Sequence, residues 1–182
     1  MPRVVVLAGI NGAGKTTASR DLLANALRIP TFVNADVISR GLNGLNPEAE
    51  AVRAGRIMLE QTRDLAARRE DFAFETTLAA RTYAGWLESL RATGYLVYLY
   101  YYWLDSPELA IARVAVRVQG GGHFVPDDTV RQRYARSVRN FFDLYRPVEC
   151  PFKNRLYAGA QAVRIQFGCN EPNRHYGEQS DP

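Results

Sequence analysis

Short apolar runs alternate along this chain with longer segments of helical periodicity. Val4-Val5-Val6-Leu7-Ala8 is a continuous apolar run that predicts a buried strand, and Thr17 to Leu27 places Ala18, Leu22, Leu23, Ala26 and Leu27 on one side of a helix. Thr31-Phe32-Val33-Asn34 predicts a second short strand after Pro30. A turn-rich stretch from Gly41 ends at Asn46-Pro47, and Pro47 suits the first position of a helix running to about Arg69. Phe72 to Thr77 alternates large and small residues as a third strand, and Thr82 to Arg91 reads as the next helix, closed by Thr93-Gly94. Tyr95 to Leu104 is the most hydrophobic run of all. It fits a central parallel strand covered on both faces, and no basic residue interrupts its aromatics, so core packing explains them better than base stacking. Ser106-Pro107-Glu108 starts a helix that breaks at Gly120-Gly121-Gly122-His123, and Pro126-Asp127-Asp128 starts another. Lys153 to Tyr157 and Val163 to Phe167 form a last strand or hairpin.

Strands alternating with helices predict a three-layer α/β fold, a mostly parallel five-stranded sheet with helices on both faces. A single domain is expected over residues 1–170, with a helical lid at about 108–140 and a polar tail at 171–182 that has no helical pattern.

Composition narrows the partners. The 182 residues suffice for one domain with a full core. The net charge of +4 comes from scattered basic residues, nearly all arginine, so nucleic acid is not the expected partner; an arginine-lined cleft for phosphates accounts for the same balance. The first apolar run is too short to span a bilayer and no cleavable signal precedes it, so a cytoplasmic protein without a membrane partner is expected. The two cysteines, Cys150 and Cys169, form no metal-ligand spacing and are expected as free thiols.

The strongest chemical signal is Gly9-Ile10-Asn11-Gly12-Ala13-Gly14-Lys15-Thr16, which satisfies every fixed position of the phosphate-binding loop, between a predicted strand and a predicted helix. Glycines at 9, 12 and 14 permit backbone angles that turn successive N–H groups inward, and the following helix adds its unpaired amides and positive end. Gly9, Asn11, Gly12, Ala13, Gly14, Lys15, Thr16 and Thr17 are therefore the expected ATP-binding residues. Lys15 supplies charge to the terminal phosphates, and Thr16 is the expected Mg2+ ligand. A Gly-rich turn that binds nothing would not require Lys and Thr side by side.

Further candidates fall at strand ends, where open parallel sheets bind ligands. Asp36 follows the second strand and reads either as the base for an acceptor hydroxyl or as a helix cap. Glu75, Thr77 and Arg81 follow the third strand, and a glutamate there is costly to bury unpartnered. Arg56, on the long helix, is a candidate substrate contact, although arginines on such a helix are usually solvated. Arg113 and Arg117, one turn apart before the glycine break, are candidates for neutralising charge on a transferred phosphoryl group. Arg131, Arg136 and Arg139 read equally well as solvated.

Together these features resemble the zeta toxin-like family of P-loop kinases over residues 3 to about 147, and more closely its small stand-alone bacterial members. The resemblance rests on the phosphate loop, Asn34-Ala35-Asp36, Phe74-Glu75-Thr76-Thr77-Leu78 with Arg81, and the Arg113 to Pro126 segment. It implies that Asp36 is the base, that Glu75, Thr77 and Arg81 bind acceptor, that Arg113 and Arg117 contact the γ-phosphate, and that UDP-N-acetylglucosamine is one conceivable acceptor. It carries no inference of an antitoxin partner. The function expected is an ATP-dependent small-molecule kinase acting on a hydroxyl of a sugar- or nucleotide-sugar-like acceptor. The alternatives are a nucleic-acid-end or nucleoside kinase and, in a different class, a non-catalytic ATP-binding regulatory module.

Overall fold

The computed structural model describes residues 1–122, 124–145, 155–157 and 162–167. The expected polar tail, Cys150 and Cys169 lie outside the described residues. The strands are β1 (Arg3–Gly9), β2 (Thr31–Val33), β3 (Phe72–Thr76), β4 (Leu96–Tyr102), β5 (Arg155–Tyr157) and β6 (Ala162–Phe167). The helices are α1 (Lys15–Asp21), extended by a wider turn over Leu22–Leu27, then α2 (Ala35–Leu42), α3 (Ala51–Ala67), α4 (Thr82–Ala92), α5 (Pro107–Gln119) and α6 (Asp127–Asn140). Pro47–Glu50 forms a tight 3₁₀ turn ahead of α3, and Asn46 caps that turn rather than α3 itself.

The sheet order is β2-β3-β1-β4-β6-β5. A mostly parallel sheet of five strands is expected; four strands are parallel, and beyond β4 the sheet continues with an antiparallel ribbon of β6 and β5, the hairpin form of the last apolar runs. Antiparallel strands can be joined by a short turn, whereas a further parallel strand needs a crossover long enough for a helix. The helices cover both faces. On one, Val4, Val6, Phe72, Phe74, Val97, Leu99 and Tyr101 pack with Met58 and Leu65 of α3 and Leu87 of α4; on the other, Val5, Leu7, Ala73, Tyr98, Tyr100 and Tyr102 pack with Leu23 and Ile29. β1 and β4 are buried along their length, which explains why their sequences show continuous rather than alternating hydrophobicity.

This order places β1 between β3 and β4, so the loop after Gly9 opens between two neighbours. Gly9, with φ 130°, is excluded from bearing a side chain twice over, since a Cβ there would stand 2.0 Å from the Tyr102 carbonyl oxygen. That close approach is the first step of the loop: the Ile10 amide donates to the same oxygen at 3.0 Å. The pair α5 and α6 is anchored in the main core through Ala110, Val114, Val130 and Phe141, and Tyr101 stacks on Phe141 with ring centres 4.0 Å apart. What stands exposed is the turn between them, at Gly120, Gly121 and Phe124. No helix among the described residues is long and apolar enough to cross a membrane.

Candidate active site

The phosphate loop is built as its residue types require. Gly12 and Gly14 both hold positive φ, 77° and 81°, and Gly14 stands at the N-terminal cap of α1. A Cβ on Gly14 would meet nothing within 4 Å, so this side of the loop is open. Gly12 instead faces α5, where a Cβ would lie 3.0 Å from the Ala110 carbonyl oxygen and 3.1 Å from Arg113 Cβ. The loop therefore rests directly on the helix that carries the candidate arginines. Asn11 Oδ1 is buried without a hydrogen-bond partner, an arrangement that costs free energy unless something the protein does not itself supply donates to it.

Lys15 is only 6% exposed, and its Nζ donates to the carbonyls of Gly9 and Ile10, each at 2.9 Å. Glu75 joins it from β3, with Oε1 3.8 Å from Nζ and Oε2 accepting from the Thr16 hydroxyl at 2.9 Å. This meeting follows from alternation along β3: Phe72 and Phe74 point to one face, while Ala73 and Glu75 point to the other, toward α1. Asn34 completes the cluster. Its Nδ2 donates to Glu75 Oε2 at 3.0 Å while its Oδ1 accepts from the Asp36 amide at 2.8 Å, capping α2. One amide side chain thus joins the ends of β2 and β3 and supports the turn that holds Asp36. Because Asn34 is the cap, the Asp36 carboxylate is not used in that role.

Burial pushes the Lys15 ammonium below its ordinary pKa of 10.5; Glu75 and Asp36 oppose that shift, and Arg117 and Arg133 reinforce it. Four charged side chains, two of each sign, thus act on the ammonium. Arg133 was not singled out from the sequence. The signal was there: α6 buries Val130, Ser137 and Asn140, and Arg133 lies three residues after the first and four before the second, on the same stripe. Arg131 is off that stripe and pairs with Glu108 across the two helices.

A linkage prediction follows from Lys15. Bound phosphate favours the ammonium and so raises its pKa, which means that binding takes up a proton wherever the free lysine has begun to lose one. ATP affinity is therefore expected to fall as pH rises through the lowered free-protein value, which lies below 10.5, and to be pH-independent with respect to this group in more acid solution. Calorimetric titration in two buffers of different ionisation enthalpy would report the proton uptake directly; proton release in that range would contradict it.

The remaining candidates are spread more widely. Thr77 is half-buried and its Oγ1 accepts from the Ala79 amide at 3.4 Å, a local turn contact, and Arg81 is exposed at the cap position of α4. Arg56 is exposed on α3, and Thr17 is exposed in the first turn of α1. Arg113 is exposed above Gly12 and is not among the charges that act on Lys15, which separates it from Arg117 one turn on. The turn between Thr77 and Arg81 is held by an unusual device. Leu78 is fully buried at φ 54°, a left-handed conformation that costs a leucine about 1–3 kcal/mol. Its amide donates to Thr76 Oγ1 at 3.1 Å and its carbonyl accepts from buried Asn140 Nδ2 of α6 at 2.7 Å.

The donor set suits a magnesium nucleotide. Magnesium keeps most of its waters and takes one or two carboxylates besides phosphate oxygens, which is what one hydroxyl and one carboxylate beside a phosphate loop provide. Among the described residues, no group of three or more His, Cys, Asp or Glu side chains forms a protein-only metal cage.

The sequence model of a family described as AAA domain, AAA_33, matches residues 4–140, from the second residue of β1 to the end of α6. The chain belongs to this AAA domain family. An uncharacterized protein of Haemophilus influenzae is 29% identical over 132 residues, which cover 72% of this chain and 92% of the relative. Among solved structures, a candidate kinase from Chloroflexus aurantiacus superposes with a TM-score of 0.55 at 17% identity, covering 72% of this chain and 76% of that one. A structure of the PezAT chromosomal toxin–antitoxin system of Streptococcus pneumoniae gives 0.56 at 18% identity, covering 80% and 65%. These likenesses show the fold, a parallel sheet flanked by helices that both solved structures share. In this AAA domain protein the family match spans the phosphate loop, the Asn34–Glu75 bridge and both arginine-bearing helices.

Proposed function

We propose that this AAA domain protein is a cytoplasmic kinase that transfers the γ-phosphoryl group of ATP, with Mg2+, to a hydroxyl of a sugar- or nucleotide-sugar-like small molecule. The observation that carries this reading is the cluster in which Thr16 and Asn34 hydrogen-bond to Glu75 and Lys15 pairs with it by charge, at the carboxyl ends of β1, β2 and β3, with Asp36 held beside it. A module that only sensed nucleotide would have no use for a carboxylate spared from capping at the next strand end.

Magnesium-ATP, when bound, supplies the phosphoryl group and a cation that neutralises its charge. Lys15 and the loop amides from Asn11 to Thr16 hold the phosphates. The hydroxyl of Thr16 would hold the ion, and Glu75, through its contact with Thr16, belongs on that side of the site rather than on the acceptor. Asp36 takes the proton of the acceptor hydroxyl and orients it. Arg117 and Arg133, one from each helix, bring positive charge to the group in transit, and Arg113 lies over the loop at Gly12. Thr77 and Arg81, with Arg56 on α3, are left to bind the acceptor. This division of roles resembles that of zeta toxin-like kinases, and UDP-N-acetylglucosamine is the first acceptor to test.

The test is transfer rather than hydrolysis. Incubated with γ-labelled ATP, magnesium and a metabolite extract, the protein is expected to yield a new labelled small molecule, which UDP-N-acetylglucosamine and simple sugars tested singly would help to identify. Release of inorganic phosphate alone, or binding without turnover, would overturn the kinase reading.

A further inference from the structure

The three glycines after α5 break the helical pattern in the sequence, and the structure gives them different roles. The Gly121 amide donates to the Val118 carbonyl and the Gly122 amide to the Arg117 carbonyl, each at 2.9 Å, with Gly121 at φ 79°. This is the paired hydrogen-bond pattern that terminates a helix in a fixed geometry, and Gly121 supplies its left-handed residue. Gly122 has no need of glycine for its own backbone, yet it has no room for anything else. A Cβ there would lie 2.4 Å from Arg117 Cγ, 3.1 Å from Arg117 Cδ and 2.8 Å from the Arg117 carbonyl oxygen. The neighbouring Gly120 has only ordinary contact, 3.5 Å from that oxygen.

We infer that Gly122 is a positioning residue for Arg117: the stem of the arginine lies across the bare Cα of Gly122, and this seat aims the guanidinium at the phosphate site around Lys15. The atoms in conflict are the root of the side chain and the backbone, not its free end, so swinging the guanidinium aside does not relieve them. An added methyl must turn the stem to another rotamer or loosen the last turn of α5, and both redirect the charge. Arg117 already acts on Lys15 across the site, so a displaced stem has an electrostatic consequence there. The glycine turn is thus a fixed mount for one phosphate-facing charge. The inference rests on the reading, given above, that Arg117 faces the terminal phosphate.

The experiment measures affinities for ATP and ADP with magnesium, by fluorescence titration with labelled nucleotides, in the full chain and in Arg117→Ala, Gly122→Ala, Gly120→Ala and the double variant of Arg117 and Gly122. A charged group on the γ-phosphate raises the preference for ATP over ADP by about tenfold or more. Arg117→Ala is expected to lose that preference, Gly122→Ala to lose most of it, Gly120→Ala to keep it, and the double variant to match Arg117→Ala. A merely structural role for Gly122 would lower the melting temperature or both affinities and leave the ratio intact. Gly122→Ser, with its Cβ in the same place, repeats the test if the alanine variant is poorly soluble. Full preference in both Gly122 variants, with preference lost in Arg117→Ala, overturns the inference. Full preference in Arg117→Ala overturns the reading of the site beneath it.

Discussion

Asp36→Asn is expected to lower phosphoryl transfer by about 10²–10⁴-fold, the range supplied by a positioned general base, while ATP affinity stays within about twofold. The separation of the two effects comes from how α2 begins. The amides of Asp36 and Val37 are satisfied by Asn34 Oδ1, so the carboxylate of Asp36 is not part of the cap. Its structural contributions are a negative charge in the first turn of a helix, worth about 0.3–1 kcal/mol, and a weaker attraction for the Lys15 ammonium than that of Glu75, so the variant should unfold within a few degrees of the parent. Transfer measured under saturating ATP, alongside a titration of nucleotide affinity, would check both halves. A variant that transferred phosphate as fast as the parent would remove Asp36 from the chemistry. One that lost ATP as well would show that the carboxylate holds the nucleotide site together.

Lys15→Ala should act on the other half of the reaction, weakening ATP binding by about 10²-fold, as expected for removing a charged hydrogen-bonding group from bound phosphate. The loop itself should survive. Its shape is set by the positive-φ glycines and by the Ile10 amide on Tyr102, none of which involves the lysine. What the substitution does leave behind is two carbonyls, of Gly9 and Ile10, and the partly buried Glu75, all of which lose a cation. Removing a buried ammonium whose pKa burial has depressed returns some desolvation free energy, so the loss of stability should be smaller than the loss of binding. Nucleotide titration of the variant measures the effect, and unaltered affinity would contradict the assignment of the loop.

These two variants, taken together, divide the site along the line where β1 meets its neighbours. Lys15 belongs to the loop after β1, and Asp36 to the turn after β2, with β3 between those strands in the sheet. The groups that span the gap are Glu75 and Asn34, so the site is assembled across three strand ends. Asn34 had no catalytic assignment from the sequence, although an Asn two residues before an acidic residue at a helix start is a recognisable cap pattern. Its second role, donating to Glu75, has no local signature because the partner is 41 residues away.

What the sequence determined by itself is what short-range physics controls. Hydrophobic period identified the buried strands and the major helices, and the phosphate loop could be read outright because its function lies in backbone angles that only a particular spacing of glycines allows. Local spacing also placed Asp36 and Glu75 at strand ends. Tertiary structure alone decided which of those ends are neighbours. The order β2-β3-β1-β4 brings Glu75 onto Thr16 and Lys15, on the loop side of the site. The final apolar runs allowed a last strand or a hairpin, and it was again the tertiary structure that decided, as an antiparallel ribbon beyond β4. The arginines show the same division most clearly. Sequence singles out Arg113 and Arg117 by their spacing before the glycine break, and the packing of α5 and α6 adds Arg133, whose charge with that of Arg117 acts on the buried lysine. Periodicity fixes the face on which a side chain lies, whereas the charge it meets there depends on a partner far along the chain.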